Sequence, residues 1–60
     1  MPLSGKKMLK LFTDDGWIKI RQKGSHVQIK KGNQNETIPL HKELQKGLER
    51  KLLKRLKEKK

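Results

Sequence analysis

The sequence predicts an α+β domain of order α-β-β-β-α: a three-stranded antiparallel sheet with two helices on one face. Three observations carry this. Apolar residues recur at helical spacing near both ends of the chain, they alternate with a period of two through the middle, and polar glycine-containing stretches separate the alternating runs.

The first helix runs from about Ser4 to Asp15. Met8, Leu9, Leu11 and Phe12 share a stripe with Lys6, Lys7 and Lys10 between them. Ser4 is placed to cap the free N–H groups, and Leu3 can pack against Met8 as a staple. Asp14-Asp15-Gly16 ends the helix, with Gly16 suited to a left-handed conformation. Ile18 and Ile20 then alternate with Trp17, Lys19 and Arg21, and Lys23-Gly24-Ser25 turns the chain. Val27 and Ile29 alternate with His26, Gln28 and Lys30. Lys31 to Asn35 is a second polar turn. Thr37-Ile38-Pro39-Leu40 is a short third strand, held at an edge because Pro39 has no N–H for a ladder. Leu48, Leu52, Leu53 and Leu56 mark a second helix from about Lys46 to Lys57, and residues 56–60 are read as a frayed basic tail. The expected core face is Ile18, Ile20, Val27, Ile29 and Ile38.

Sixty residues allow one small domain, 1–60, with a thin core. The net charge of +11 points to a polyanion: nucleic acid, an anionic membrane or an acidic protein. The chain has no Cys, so a disulfide, a thiol nucleophile and a thiolate metal site are excluded, and a cytoplasmic location is expected. No apolar run exceeds two residues, which excludes a transmembrane span and a signal peptide. The leucines of the second helix are needed for the core, so a membrane-surface role is not expected either.

If the isoleucines and Val27 face the helices, strand alternation turns Lys19, Arg21, His26, Gln28 and Lys30 to the other face. That set contains no carboxylate. A solvated sheet face is common in antiparallel sheets, but it leaves the like-charge repulsion across strands unexplained. A phosphate-binding surface accounts for it directly, so both readings stand. His26, inside this cluster, is either a surface residue or a proton-transfer group, since imidazole exchanges protons near neutrality. His41 suits a structural role at the entry to the second helix. Neither histidine has a carboxylate at ligand spacing, so no metal site and no cofactor are expected. Ser25 and His26 are strand neighbours that point to opposite faces and form no nucleophile–base pair. Trp17 is assigned to packing over the first helix rather than to stacking on a base.

Asp15-Gly16-Trp17, Arg21-Gln22-Lys23-Gly24-Ser25-His26, and Thr37-Ile38-Pro39 followed by His41 together resemble the HicA toxins of bacterial type II toxin–antitoxin systems. The resemblance extends over roughly Lys6 to Leu56, and Gly24-Ser25-His26 is its most specific part. It implies a fold similar to the double-stranded-RNA-binding domain. It also implies a metal-independent mRNA interferase whose single catalytic histidine corresponds to His26, with a HicB-like antitoxin masking that residue. His41 corresponds to a histidine often present after the proline. The chain departs from the family at Leu56-Lys57-Glu58-Lys59-Lys60, where many relatives have a short apolar tail.

RNA carries its own nucleophile, the 2′-hydroxyl beside each phosphate. The expected chemistry is acid/base catalysis by His26 with cationic stabilisation of the phosphorane-like charge. Lys19, Arg21, Lys23, Gln28 and Lys30 are the expected RNA-binding side chains, with the backbone N–H groups of Gly24 and Ser25 approaching the phosphate. Two other classes compete: a non-catalytic RNA-binding domain using the same surface, and a DNA-reading regulator, for which no helix-turn-helix pairing is visible.

Overall fold

The computed structural model describes residues 3–58. Helix α1 spans Gly5–Asp14, strands β1, β2 and β3 span Ile18–Lys23, His26–Lys31 and Gln34–Pro39, and helix α2 spans Lys46–Lys57. The strands form one antiparallel sheet in the order β1-β2-β3. This is the α-β-β-β-α arrangement of a double-stranded-RNA-binding-domain-like fold.

The ends of α1 follow from its flanking residues. Ser4 Oγ accepts the Lys7 N–H at 3.1 Å, satisfying one of the free donors of the first turn. At the other end Gly16 adopts φ 103°, and the Trp17 N–H donates to the Phe12 carbonyl at 3.0 Å. That turn drives the indole into the core, where it meets Phe12 edge-on at 5.2 Å. The role assigned to Trp17 from the sequence is the one it has.

Both hairpins use two-residue turns that open with glycine, Gly24 at φ 59° and Gly32 at φ 61°. Positive φ at the first central position alone is the type II′ pattern, whose twist matches that of paired strands. The second turn is therefore only Gly32-Asn33. Gln34 and Asn35, expected in the turn, instead pair with Lys31 and Lys30, so β3 begins three residues earlier than Thr37. Polar composition misplaces this boundary because ladder bonds, not apolar side chains, hold the first half of the strand.

The core consists of Met8, Phe12, Trp17, Val27, Ile29, Ile38, Leu44 and Leu52, all buried. Leu3, Leu9, Leu40, Leu48, Leu53 and Leu56 pack around it. Ile18 and Ile20, expected in this core, are 65% and 52% exposed. The reason is a β-bulge: Lys19 pairs with Ile29 and Arg21 with Gln28, leaving Ile20 as an extra residue without a partner. Directly opposed residues of an antiparallel pair share a face. Ile18, opposite Lys30, therefore lies on the sheet face away from the helices, and Lys19, opposite Ile29, lies on the helix-side row.

Three contacts fix α2. Leu44, which lies outside both helical stripes, is buried and donates its N–H to the Leu3 carbonyl at 2.9 Å. Leu3 in turn donates to Glu49 Oε2 at 2.6 Å. Arg55 pairs with Glu36 of β3 at 2.7 Å. Leu56 packs on the core and the helix continues to Lys57, so the chain is regular over the first two residues of the expected tail. Glu58 is extended, and Lys59 and Lys60 lie outside the described residues.

Candidate nucleic-acid interface

The ladder registers place Arg21, Lys23, His26, Gln28, Lys30, Asn35 and Thr37 on the sheet face away from the helices. Every one of them is exposed. Lys19 is not among them; its ammonium bonds Gln22 Oε1 at 3.0 Å on the helix-side row of β1. Gly24 and Ser25 form the turn at the end of the sheet where His26 stands.

The face carries no carboxylate, and the fold shows where the acids went. Glu36, the one acidic residue of β3, alternates to the helix side and meets Arg55. Asp14 pairs with Lys10 at 3.4 Å and Asp15 with Lys31 at 3.2 Å. Glu49 accepts the Leu3 N–H. Among the described residues Arg21, Lys23 and Lys30 enter no ion pair. Three uncompensated cations on one pleated surface repel each other, and an anionic ligand relieves that repulsion.

The histidines meet at one end of this face. Pro39 is the ladder partner of His26, so the segment leaving β3 passes beside it. Two backbone bonds anchor that segment: Leu40 N–H to the Ser25 carbonyl at 2.6 Å, and Gly5 N–H to the His41 carbonyl at 2.9 Å. His41 is thereby held with its ring centroid 6.4 Å from that of His26 and the planes inclined by 70°. Both rings are exposed. The two histidines lie fifteen positions apart in the sequence, and the register that sets Pro39 opposite His26 brings them together. At Gly24 the space where a Cβ would stand is empty to 4 Å, so a ligand can approach the backbone there.

A groove of about 560 Å³ lies at the opposite end of the sheet, lined by Asp15, Trp17, Lys31, Asn33, Arg55 and Glu58 among others. Its two carboxylates, Asp15 and Glu58, offset its two cations, Lys31 and Arg55, which does not suit a phosphate chain. Among the described residues no group of three His, Asp or Glu side chains is arranged to hold a metal ion, and no helix is long and apolar enough to cross a membrane.

Fold and face together define a class: a compact α-β-β-β-α domain presenting an acid-free cationic sheet with paired histidines at one end. The family model described as the HicA toxin of bacterial toxin–antitoxin systems matches residues 5–57. A chain of a solved structure, "Toxin-Antitoxin complex from Streptococcus pneumoniae", is 47% identical over 92% of this chain and 97% of that one, with a TM-score of 0.74. Comparison with curated proteins gives no match. The chain belongs to the HicA toxin family, and it is a toxin of a toxin–antitoxin system.

Proposed function

We propose that the protein is a metal-independent mRNA interferase, an endoribonuclease using His26 as an acid/base catalyst and neutralised by a HicB-like antitoxin. The observation that carries this reading is the position of His26: exposed, at the turn end of an acid-free cationic face, beside a glycine with open space around it. Membership of the HicA family supports it.

Arg21, Lys23 and Lys30 hold phosphates along the sheet, with Arg21 able to bind two oxygens at once. Gln28, between them, offers a donor and an acceptor to ribose or base. Backbone N–H groups at Gly24 and Ser25 face the scissile phosphate. His26 exchanges a proton with the 2′-hydroxyl or the leaving oxygen, and the cations stabilise the negative charge that develops on the phosphoryl oxygens. Lys19, on the other row, drops out of the binding set. The antitoxin reading is supported by the toxin–antitoxin complex to which the chain is similar and by a charge of +11 that attracts an acidic partner.

The test is induction of wild type and His26→Ala in bacteria, following growth and transcript integrity together. Growth arrest with mRNA loss in wild type only is expected. Purified toxin should leave 2′,3′-cyclic phosphate ends in the presence of EDTA. Equal arrest by both variants, or cleavage of RNA bearing 2′-O-methyl groups throughout, overturns the mechanism. Unchanged RNA affinity and no cellular effect in either variant would instead identify a non-catalytic RNA-binding domain.

A further inference from the structure

We infer that His41 is a second catalytic residue, the two histidines dividing proton acceptance and proton donation across one scissile phosphate; this rests on the ribonuclease reading. In-line attack places the 2′-oxygen and the leaving 5′-oxygen on opposite sides of phosphorus. With partial bonds of roughly 2 Å on each side and a hydrogen bond of about 2.7 Å beyond each oxygen, the two proton-transfer nitrogens stand about 6–9 Å apart. The ring centroids of His26 and His41 are 6.4 Å apart, and since each ring nitrogen lies off its centroid, rotation of the two exposed side chains can set one nitrogen of each ring at that separation.

Placement of His41 is built into the fold rather than left to a loose loop. Its carbonyl is held by the first N–H of α1, and the preceding residue by the β1–β2 turn that also presents His26. The structural duty at this position falls on the backbone. Among the described residues neither imidazole makes a hydrogen bond, so both rings are free for a ligand. Among the described residues the Phe12–Trp17 pair is buried in the core, whereas the His26–His41 pair is on the surface.

The step balances without a co-reactant. One histidine takes the proton of the 2′-hydroxyl as the 2′-oxygen–phosphorus bond forms. The other, entering as imidazolium, gives its proton to the 5′-oxygen as the phosphorus–oxygen bond breaks. The products are a 2′,3′-cyclic phosphate and a 5′-hydroxyl, and water returns the pair to its starting protonation. The charged groups closest by ladder or chain are Lys23, opposite His26, with Lys42 and Glu43 after His41 and Lys6 in the first turn of α1.

The test compares wild type, His26→Ala and His41→Ala on ordinary RNA and on RNA with a bridging 5′-sulfur at one scissile phosphate. Thiolate leaves without a proton, so loss of the donor is suppressed on that substrate and loss of the acceptor is not. His41→Ala is expected to lower kcat on ordinary RNA by about 10²–10⁴-fold with an unchanged thermal midpoint. Exactly one of the two variants should recover on the sulfur substrate, and each should lose one limb of a bell-shaped pH–rate profile. Less than a tenfold loss in His41→Ala, recovery of both variants or of neither, or a profile that keeps both limbs in His41→Ala overturns the inference. Failure of wild type to cleave RNA overturns the ribonuclease reading itself, whereas full activity in His26→Ala leaves that reading standing and overturns the catalytic role of His26, and the two-histidine inference with it.

Discussion

Gly5→Ala should destabilise this protein, although Gly→Ala in a helix ordinarily does the reverse. Gly5 is the first residue of α1 and is buried. A Cβ there would overlap the Pro39 carbonyl oxygen and stand 2.7 Å from Leu40 Cα. Those are backbone atoms of the segment that carries His41, so no side chain can swing aside. Overpacking of this kind costs about 1–3 kcal/mol, against a helix gain of about 0.5–1 kcal/mol for alanine. The net loss is about 1–2 kcal/mol, which for a domain of this size lowers Tm by roughly 5–15 °C. Gly47→Ala is the control. It lies in α2 with nothing within 4 Å of its Cβ position, and it should stabilise by up to about 1 kcal/mol. Urea and thermal melts followed by circular dichroism read both variants. Equal stabilisation by the two substitutions would refute the close docking of α1 on the Pro39–Leu40 segment, and with it the anchoring of His41.

Two further outcomes follow from the register of β1. Ile18→Thr and Ile20→Thr should each change stability by no more than about 0.5 kcal/mol, whereas Ile29→Ala should cost about 2–5 kcal/mol; a comparable loss at Ile20 in denaturant titrations would contradict the bulge. On a single-stranded RNA, Arg21→Ala or Lys30→Ala should each reduce the slope of log affinity against log salt by about 0.7, while Lys19→Ala leaves it unchanged. Equal slopes for Lys19→Ala and Arg21→Ala would mean that the ladder does not set which cations touch phosphate.

The parts of this fold legible in the sequence are those fixed by neighbours in the chain. Ser4 caps α1 and Gly16 ends it; the leucine stripe bounds α2; Gly24 and Ser25 turn the first hairpin. What escaped depends on pairing across strands. Ile18 and Ile20 alternate with Lys19 and Arg21 as regularly as any buried strand would, yet one unpaired residue in β1 sends both isoleucines outward. No periodicity within β1 reports a residue that its partner lacks. Gln34 and Asn35 look like a turn because their strand is held by backbone bonds to β2. Much the same holds for the candidate site. His26, Gln28 and Lys30 were legible as one face because alternation from His26 to Lys31 is intact, and Arg21 joins them on the near side of the bulge; Lys23, expected in the turn, is the last residue of β1 and stands opposite His26. Lys19 crossed to the other row at the bulge, and the approach of His41 to His26 needed the β2–β3 register.

Since β1 is the first strand of the sheet, one side of it has no partner strand. Its open N–H and C=O groups, with two exposed isoleucines beside them, would be a template for stacking one copy on another. Lys19, Arg21 and Lys23 sit along that same edge, so a second copy approaching it brings like charge against like. The surplus of cations thus acts as a gatekeeper of colloidal behaviour. A polyanion that neutralised the edge would remove this protection and leave the molecule more prone to add strand to strand.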